Sequence, residues 1–331
     1  MSIFGKPLVS VVLASYNHVK FIKAAVESVL GQSYENLDLI VIDDGSTDGT
    51  PDVVEKIKDK RLKLVRLSPN RRFNPRNLGI GMARGKYVAF QNSDDVWNER
   101  KLEKQIDYLE KNKGTVVCFT RLNMIDETGA IIKKSWAHGN LADENKNNDA
   151  WLRVLFTSGI NFGIASAVVR ADKLKKLNGF CESMVQMADY DLWVRLAGLG
   201  QLYIINEPLT SMRIIKGVNY STPKKEVFSR SEIENIEILN RYTQWPINKY
   251  LKNIFPEIMP QNNRSVNIQY AYLAKFAWKI KSPLHSLFAD QLIAKLLEDQ
   301  MASKEILGHF GADLKKEFIK RRGKLKIIIN K

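Results

Sequence analysis

The strongest constraint on the fold is a rhythm. Four short apolar runs, LVSVVLA (8–14), LDLIVIDD (37–44), LKLVRL (62–67) and KYVAFQN (86–92), each precede a stretch with helical spacing of its apolar residues. Runs this short, without polar alternation, read as strands covered on both faces. Between them lie VKFIKAAVESVLGQ, a segment with Pro51 near its start, PRNLGIGMARG (75–85) and the amphipathic NERKLEKQIDYLEKN (98–112), and TVVCFTRLNMID supplies a fifth strand. Strand and helix in alternation predict an α/β fold, a mainly parallel Rossmann-like sheet with helices on both faces. Ligands of such sheets bind beyond the carboxyl ends of the strands. Three polar clusters fall there: SYNH (15–18), DDGSTD (43–48) and NSDD (92–95).

Further along, DAWLRVLFTSG (149–159) reads as a helix and FGIASAVVRADKLKKLNGF (162–180) as a strand, a helix and a glycine turn. The segment from Met187 reads as a helix from about Asp189 followed by two strands. From about residue 224 the periodicity is helical, broken at Pro246, Pro256, Pro260 and Pro283. We therefore expect a catalytic and ligand-binding domain over 1–220 and a mostly helical region over 221–331.

No run approaches the ~20 apolar residues of a membrane span, and the opening MSIFGKPLVSVVLASYNH lacks the small-residue cleavage site of a signal peptide. Cys118 and Cys181 lie among apolar residues and read as buried free thiols, so a cytoplasmic location is expected. The net charge of +15 favours an anionic partner. Eight Lys or Arg against two acids between Asp313 and Lys331 make part of that excess a property of the C-terminus. That tail also carries Ile327, Ile328 and Ile329, a mixture suited to the anionic inner face of a membrane, to solvent or to a homo-oligomer contact.

The adjacent Asp94 and Asp95 raise a specific question, because two neighbouring carboxylates repel. They either cap the next helix from a solvated turn or hold a divalent cation, Mn²⁺ or Mg²⁺, as hard oxygen ligands. A nucleotide would suit the same edge. Tyr16 offers a ring for base stacking, Asp43 or Asp44 an acceptor for an imide or ribose group, and Asn17 a means of holding the loop. Each of these has a plainer reading as a turn or cap residue. The dinucleotide motif GxGxxG does not follow the first strand and no P-loop motif occurs, so a diphosphate would rely on a cation and on basic side chains. Arg66, Arg71, Arg72, Arg76 and Arg84 precede the acids, some facing the site and others solvated.

VSVVLASYNHVKFIKAAVESVLGQSYENLDLIVIDDGSTDGT, then NLGIGMARGKYVAFQNSDDVW, then MADYDLWVRLA, in this order and spacing, resemble the family 2 glycosyltransferases over residues 7 to about 221. The resemblance implies the GT-A fold, an inverting transfer from a nucleotide-diphosphate sugar, UDP-linked in most members, and a divalent metal. It assigns Tyr16 and Asp44 to the base, with Asp43 and an arginine of the 66–72 loop nearby, Asp94 to the metal and Asp189 to general-base catalysis. The expected nucleotide-sugar site is thus Ala14, Tyr16, Asn17, Asp43, Asp44, Arg71, Asn77, Asn92, Ser93 and Asp94. Asp95, Asp191, Arg213 and Lys216 surround it.

Three positions depart from the family pattern: Asn92 replaces an Asp, Ala188 a Glu and Ile215 a His. The departures imply weaker metal binding, with Arg213 and Lys216 as compensating cations. Asp191 suits a first-turn acid facing the helix dipole. Tyr190 and Trp193 are candidate sugar-stacking rings, although Trp193 at helical spacing with Leu196 suits a core. His18, His138, His285 and His309 show no ligand spacing and are assigned no metal. A bacterial surface-glycan role and a glycan or lipid-linked acceptor follow by analogy.

Two rivals are a sugar nucleotidyltransferase and a non-enzymatic nucleic-acid-binding protein. The first would place a Gly-rich or basic loop straight after the first strand, where ASYNHVKF stands. The second would interleave basic and aromatic residues on one surface, whereas the basic excess here lies in a tail with few aromatics, so no nucleic acid is expected.

Overall fold

The computed structural model describes residues 5–68, 74–133, 141–142, 144–159, 162–215, 225–259 and 265–322. The chain divides into two compact units, Met1–Val227 and Phe228–Lys331.

In the first unit, β1 (Val9–Ser15), β2 (Leu37–Asp43), β3 (Leu62–Arg66) and β4 (Tyr87–Asn92) alternate with α1 (Ile22–Leu30), α2 (Thr50–Glu55) and α3 (Pro75–Met82). There follow β5 (Val96–Trp97), α4 (Lys101–Lys111), β6 (Thr115–Ile125), α5 (Asn148–Thr157), β7 (Val168–Arg170), α6 (Ala171–Lys176), α7 (Ala188–Ala197) and β8 (Gln201–Arg213). The eight strands form one sheet in the order β3-β2-β1-β4-β7-β6-β8-β5. Pairings β3/β2, β2/β1, β1/β4 and β6/β8 are parallel, while β4/β7, β7/β6 and β8/β5 are antiparallel.

Strand alternation explains the two-sided burial. Val9, Val11 and Leu13 of β1 and Leu37, Leu39 and Val41 of β2 face a core shared with Ile22, Val26 and Val29 of α1 and Leu102 and Ile106 of α4. Ile40 and Ile42 point the other way, into a cluster with Leu67 to which Leu78 and Met82 of α3 contribute. Gly79 lets α3 come close to the sheet, since a Cβ there would run into Val12.

The strand β7 intervenes between β4 and β6, antiparallel to both. The segment expected to form two strands is one, β8, running through Pro208. Proline lacks a ladder N–H, and the register against β6 shifts on both sides of Arg121, the partner of Pro208, which absorbs the missing bond. Of the two thiols, Cys118 is buried and Cys181 only half-buried.

The second unit contains nearly all of α8 (Lys225–Asn240), then α9 (Leu251–Ile254), α10 (Val266–Ala277), α11 (Pro283–Glu298), α12 (Gln300–Phe310) and α13 (Ala312–Arg322). Pro246 and Pro256 lie between helices. Pro283 opens α11, capped by Ser282, and Pro260 lies outside the described residues. A further break between α11 and α12 needs no proline, because the Asp299 side chain caps α12 by accepting from the Ala302 N–H. Among the described residues, no helix is long and apolar enough to cross a membrane.

Candidate active site

The site is built at the carboxyl ends of β1, β2 and β4. Here the chain order turns outward from β1 in both directions, the position at which open α/β sheets bind ligands. After β1, Tyr16 is exposed. Asn17 sits in the left-handed region at φ 51°, which asparagine tolerates better than most residues. Its side-chain Oδ1 accepts from the Thr47 N–H at 2.9 Å and its own N–H donates to Ser46 Oγ at 2.9 Å, which stitches the first loop to the second.

At the end of β2, Asp43 is buried. One of its oxygens accepts from the Ser46 N–H (2.9 Å), the other from the hydroxyls of Ser15 (2.9 Å) and Ser46 (2.7 Å). Its carboxylate is therefore occupied within the loop. Asp44 is different: its Oδ1 is shut off from solvent and has no protein partner. Burial, then the neighbouring Asp43 charge, pushes its carboxyl above the usual range.

At the end of β4, Asn92 pairs in register with Ala14. Ser93 is buried with its hydroxyl 2.7 Å from Nδ1 of His18. Asp95 is 2% exposed. It accepts from the Arg213 backbone N–H and from Asn92 Nδ2, both at 2.8 Å. Burial, reinforced by the Asp94 charge, pushes Asp95 up to about 8. Asp94 is half-buried and is also raised by burial, against the opposing pull of His18, Arg213 and Arg76. Arg213 locks this turn: its Nε donates to the Asp94 carbonyl (2.8 Å), its Nη1 to the carbonyls of Asp126 (2.6 Å) and Glu127 (3.0 Å), and its guanidinium lies 4.9 Å from the Phe21 ring centre.

Asp189 comes from the first turn of α7, where one carboxylate oxygen accepts from the Tyr190 N–H at 2.8 Å. The link to the β4 acids is Arg76. Its Nη2 donates to Asn92 Oδ1 at 3.0 Å. Burial pulls the guanidinium below its ordinary value, opposed first by Asp189 and then by Asp94 and Asp95, so all three acids act on one cation. Sequence reasoning gave His18 no role and left Arg76 unsorted among five arginines. A signal existed: both lie one to three residues inside loops or helix starts that follow parallel strands, which the topology delivers to this edge.

Other expected residues serve the scaffold. Asn77 bridges to Phe180 and Glu182, its amide donating to the Phe180 carbonyl at 2.9 Å and its oxygen accepting from the Phe180 N–H at 2.8 Å. Asp191 is fully buried and paired with Arg195 at 2.7 Å, which in turn donates to the Leu177 and Gly179 carbonyls. Trp193 and Tyr190 are core rings; Trp193 packs edge-on against Phe119, and the Tyr190 hydroxyl donates to the Leu155 carbonyl. Arg66 points outward in ion pairs with Asp52 and Glu55, and Arg84 is largely solvated. Ile215 is buried. Arg71, Arg72, Lys216 and His138 lie outside the described residues. Among the described residues, no group of three His, Cys, Asp or Glu side chains could hold a metal by itself.

A mixed α/β sheet with acids gathered at this switch point, followed by a helical C-terminal region, is the GT-A architecture. The model of glycosyl transferase family 2 matches residues 10–171. An uncharacterised glycosyltransferase of Haemophilus influenzae is 30% identical over 85% of this chain and 86% of its own length. The putative teichuronic acid biosynthesis glycosyltransferase TuaG of Bacillus subtilis is 31% identical over 75% of this chain and 96% of its own. The chain belongs to glycosyl transferase family 2 and is a glycosyltransferase. Its fold matches that of S. aureus TarS, solved in complex with UDP, at a TM-score of 0.53 and 17% identity over 95% of this chain and 88% of that one. It also matches the mannosyltransferase PcManGT of Pyrobaculum calidifontis, solved with GDP-Man and Mn²⁺, at 0.52 and 18% over 98% and 88%.

Proposed function

We propose that the protein transfers a sugar, with inversion, from a UDP-linked donor to a hydroxyl of a glycan or lipid-linked acceptor in bacterial surface-glycan synthesis. The observation that carries this reading is the convergence of Asp94 and Asp189, from two distant parts of the chain, on the Arg76 guanidinium. The UDP bound by TarS and the teichuronic acid role in the name of TuaG support the donor and the glycan class.

Tyr16 and the unpartnered Oδ1 of Asp44 serve the base, the first by stacking and the second by accepting an imide N–H. Asp189 accepts the proton of the acceptor hydroxyl. That oxygen forms its bond to the anomeric carbon as the bond from this carbon to the diphosphate oxygen breaks, and the electron pair leaves with the diphosphate. The donor set fits a divalent cation: Asp94 offers one hard carboxylate while Asp95 is taken by Arg213 and Asn92. An ion of this kind usually completes its shell with phosphate oxygens and water. When bound, it supplies positive charge to the departing diphosphate.

Asp189→Asn tests the reading. Asparagine caps a helix start about as well as aspartate, so folding and nucleotide-sugar affinity should be kept. Turnover should fall roughly 10²–10⁴-fold, the usual worth of a general base. Wild-type turnover in this variant would reduce Asp189 to a cap. On the acceptor side, exposed Lys315, Lys316, Lys320 and Arg322 on α13 support contact with an anionic membrane face, although 323–331 lie outside the described residues. Equal sedimentation with anionic vesicles by the full chain and by a chain ending at Asp313 would remove that contact.

A further inference from the structure

The geometry points to a second saccharide-binding site, in the helical unit: a polar cleft between the end of α8 and one face of α11 that takes sugar rings of a glycan chain away from the end that reacts. The inference rests on the reading above for its ligand class and adds a site that the transfer step itself does not use.

Three observations carry it. The first is the cleft. It measures about 440 Å³, within the roughly 300–1,000 Å³ range of ligand pockets, and its whole wall belongs to the second unit. Glu237 and Asn240 enter from the last turn of α8, Arg241 and Gln244 from the turn that follows, and Gln291 and Lys295, one helical turn apart, from α11. An apolar ligand would strip water from these groups without replacing its hydrogen bonds, so the wall suits a polar one.

The second is the set of hydrogen-bonding groups left over. Asn240 spends an amide N–H on the Ile236 carbonyl at 3.0 Å, and Gln244 spends its side-chain oxygen on Arg241 Nη1 at 3.1 Å. That leaves an acceptor at Asn240 Oδ1 and a donor at Gln244 Nε2. The side chains of Gln291 and Lys295 have no protein partner among the described residues, and they add one group of both kinds and one donor. A sugar hydroxyl both donates and accepts, so neighbouring hydroxyls answer such a mixture. A fully ionised phosphate only accepts and would leave the acceptors unanswered. Charge agrees: Glu237 and Arg241 offset each other, and Lys295 remains as the single net cation, too little for a polyanion such as nucleic acid.

The third is an indole. Trp245 follows Gln244 in the chain and is 52% exposed. Its electron-rich face suits the C–H face of a pyranose.

The wall is held before a ligand arrives. Tyr242 of the turn is fully buried, the Tyr270 hydroxyl of α10 donates to the Thr243 carbonyl at 2.7 Å, and the Thr243 hydroxyl donates to the Asn240 carbonyl at 2.9 Å. A preformed wall spares part of the ordering cost of binding.

The test uses the full chain. Hexasaccharides of glucose, N-acetylglucosamine and galacturonic acid are titrated by calorimetry, with and without saturating UDP. At least one should bind saturably under both conditions. Gln291→Ala combined with Lys295→Met, both at exposed helix positions, should lower that affinity roughly tenfold, the worth of one or two hydrogen bonds. Trp245→Ala should lower it roughly two- to tenfold. UDP affinity and melting temperature should stay unchanged in the double variant. Equal affinity in wild type and variants would place the sugar elsewhere, displacement by UDP would place it in the donor site, and no binding of any hexasaccharide would remove the site; each overturns the inference. UDP binding by the same wild-type sample keeps the glycosyltransferase reading standing in all three cases. A wild type that binds a hexasaccharide through these residues but no UDP or UDP-sugar would sustain the inference and overturn that reading's donor instead.

Discussion

Two Asp-Asp pairs end the strands on either side of β1, and they are built in opposite senses. In Asp43–Asp44 the leading acid turns inward, and the trailing acid presents an oxygen without a protein partner. In Asp94–Asp95 the trailing acid turns inward and the leading one is half-buried at the strand edge. The reason is local. Asp43 is the last residue of β2, paired with Ser15 and Arg66, so its side chain follows the alternation that sends Leu39 and Val41 to the same face. Asp95 lies beyond β4, where the turn through Ser93 and Asp94 sets its direction and the last residue of β8 supplies its N–H partner. Adjacent acids therefore mark the edge of a site without saying which of the two does the work.

The largest effect should come from separating the second pair. Asp94→Asn should cut turnover at least about 10²-fold, as expected when stabilisation of a leaving diphosphate is lost, with an unchanged melting temperature. Asp95→Asn should shift the melting temperature more than the turnover. Kinetics and thermal melts on the two variants check this, and the reverse pattern would exchange the roles of the two acids. The first pair should split next. Asp43→Ala strands the Ser15 hydroxyl and the Ser46 N–H, and denaturant unfolding should report a loss of about 2–3 kcal/mol. Asp44→Ala should leave stability nearly unchanged and weaken UDP binding about tenfold, the worth of one hydrogen bond in a shielded site.

The smallest effect is in pH. Asp95 holds its proton up to about 8 in the folded chain, against an ordinary value of 3.8. Between those values the folded state binds more protons than the unfolded one, so stability falls as pH rises through that window and levels above it. Unfolding measured in a chelator across pH 5–9 should show this decline, and Asp95→Asn should flatten it. An identical slope in wild type and variant would assign the titration to another group.

The β1–β4 half of the sheet was legible because strands covered on both faces leave uninterrupted apolar runs, and α4 because its apolar stripe keeps helical spacing. Other features depended on partners far along the chain. The strand β7 was legible in FGIASAVVR, but its place in the sheet, antiparallel between β4 and β6, was not. Ser15 lies 28 residues from Asp43, and Phe180 lies 103 from Asn77, so neither scaffold bond leaves a local mark. Tyr190 and Trp193 read as candidate sugar platforms, with only the spacing of Trp193 to Leu196 pointing to a core, until the carbonyls of Leu155 and Phe162 claim their polar groups. Arg76 stood among five arginines that only the three-dimensional path of α3 could sort.

Arg213 carries a last consequence, for how such a chain can drift. One side chain and its own backbone tie together the start of the α1 segment, the turn holding Asp94 and Asp95, and the carbonyls of Asp126 and Glu127 beyond β6. Lysine carries a single donor centre and could not reach all of these at once. An insertion or deletion just after Ile125 would thus be felt at the acids of the β4 turn without touching them. Loop length there and the arginine should therefore change together or not at all.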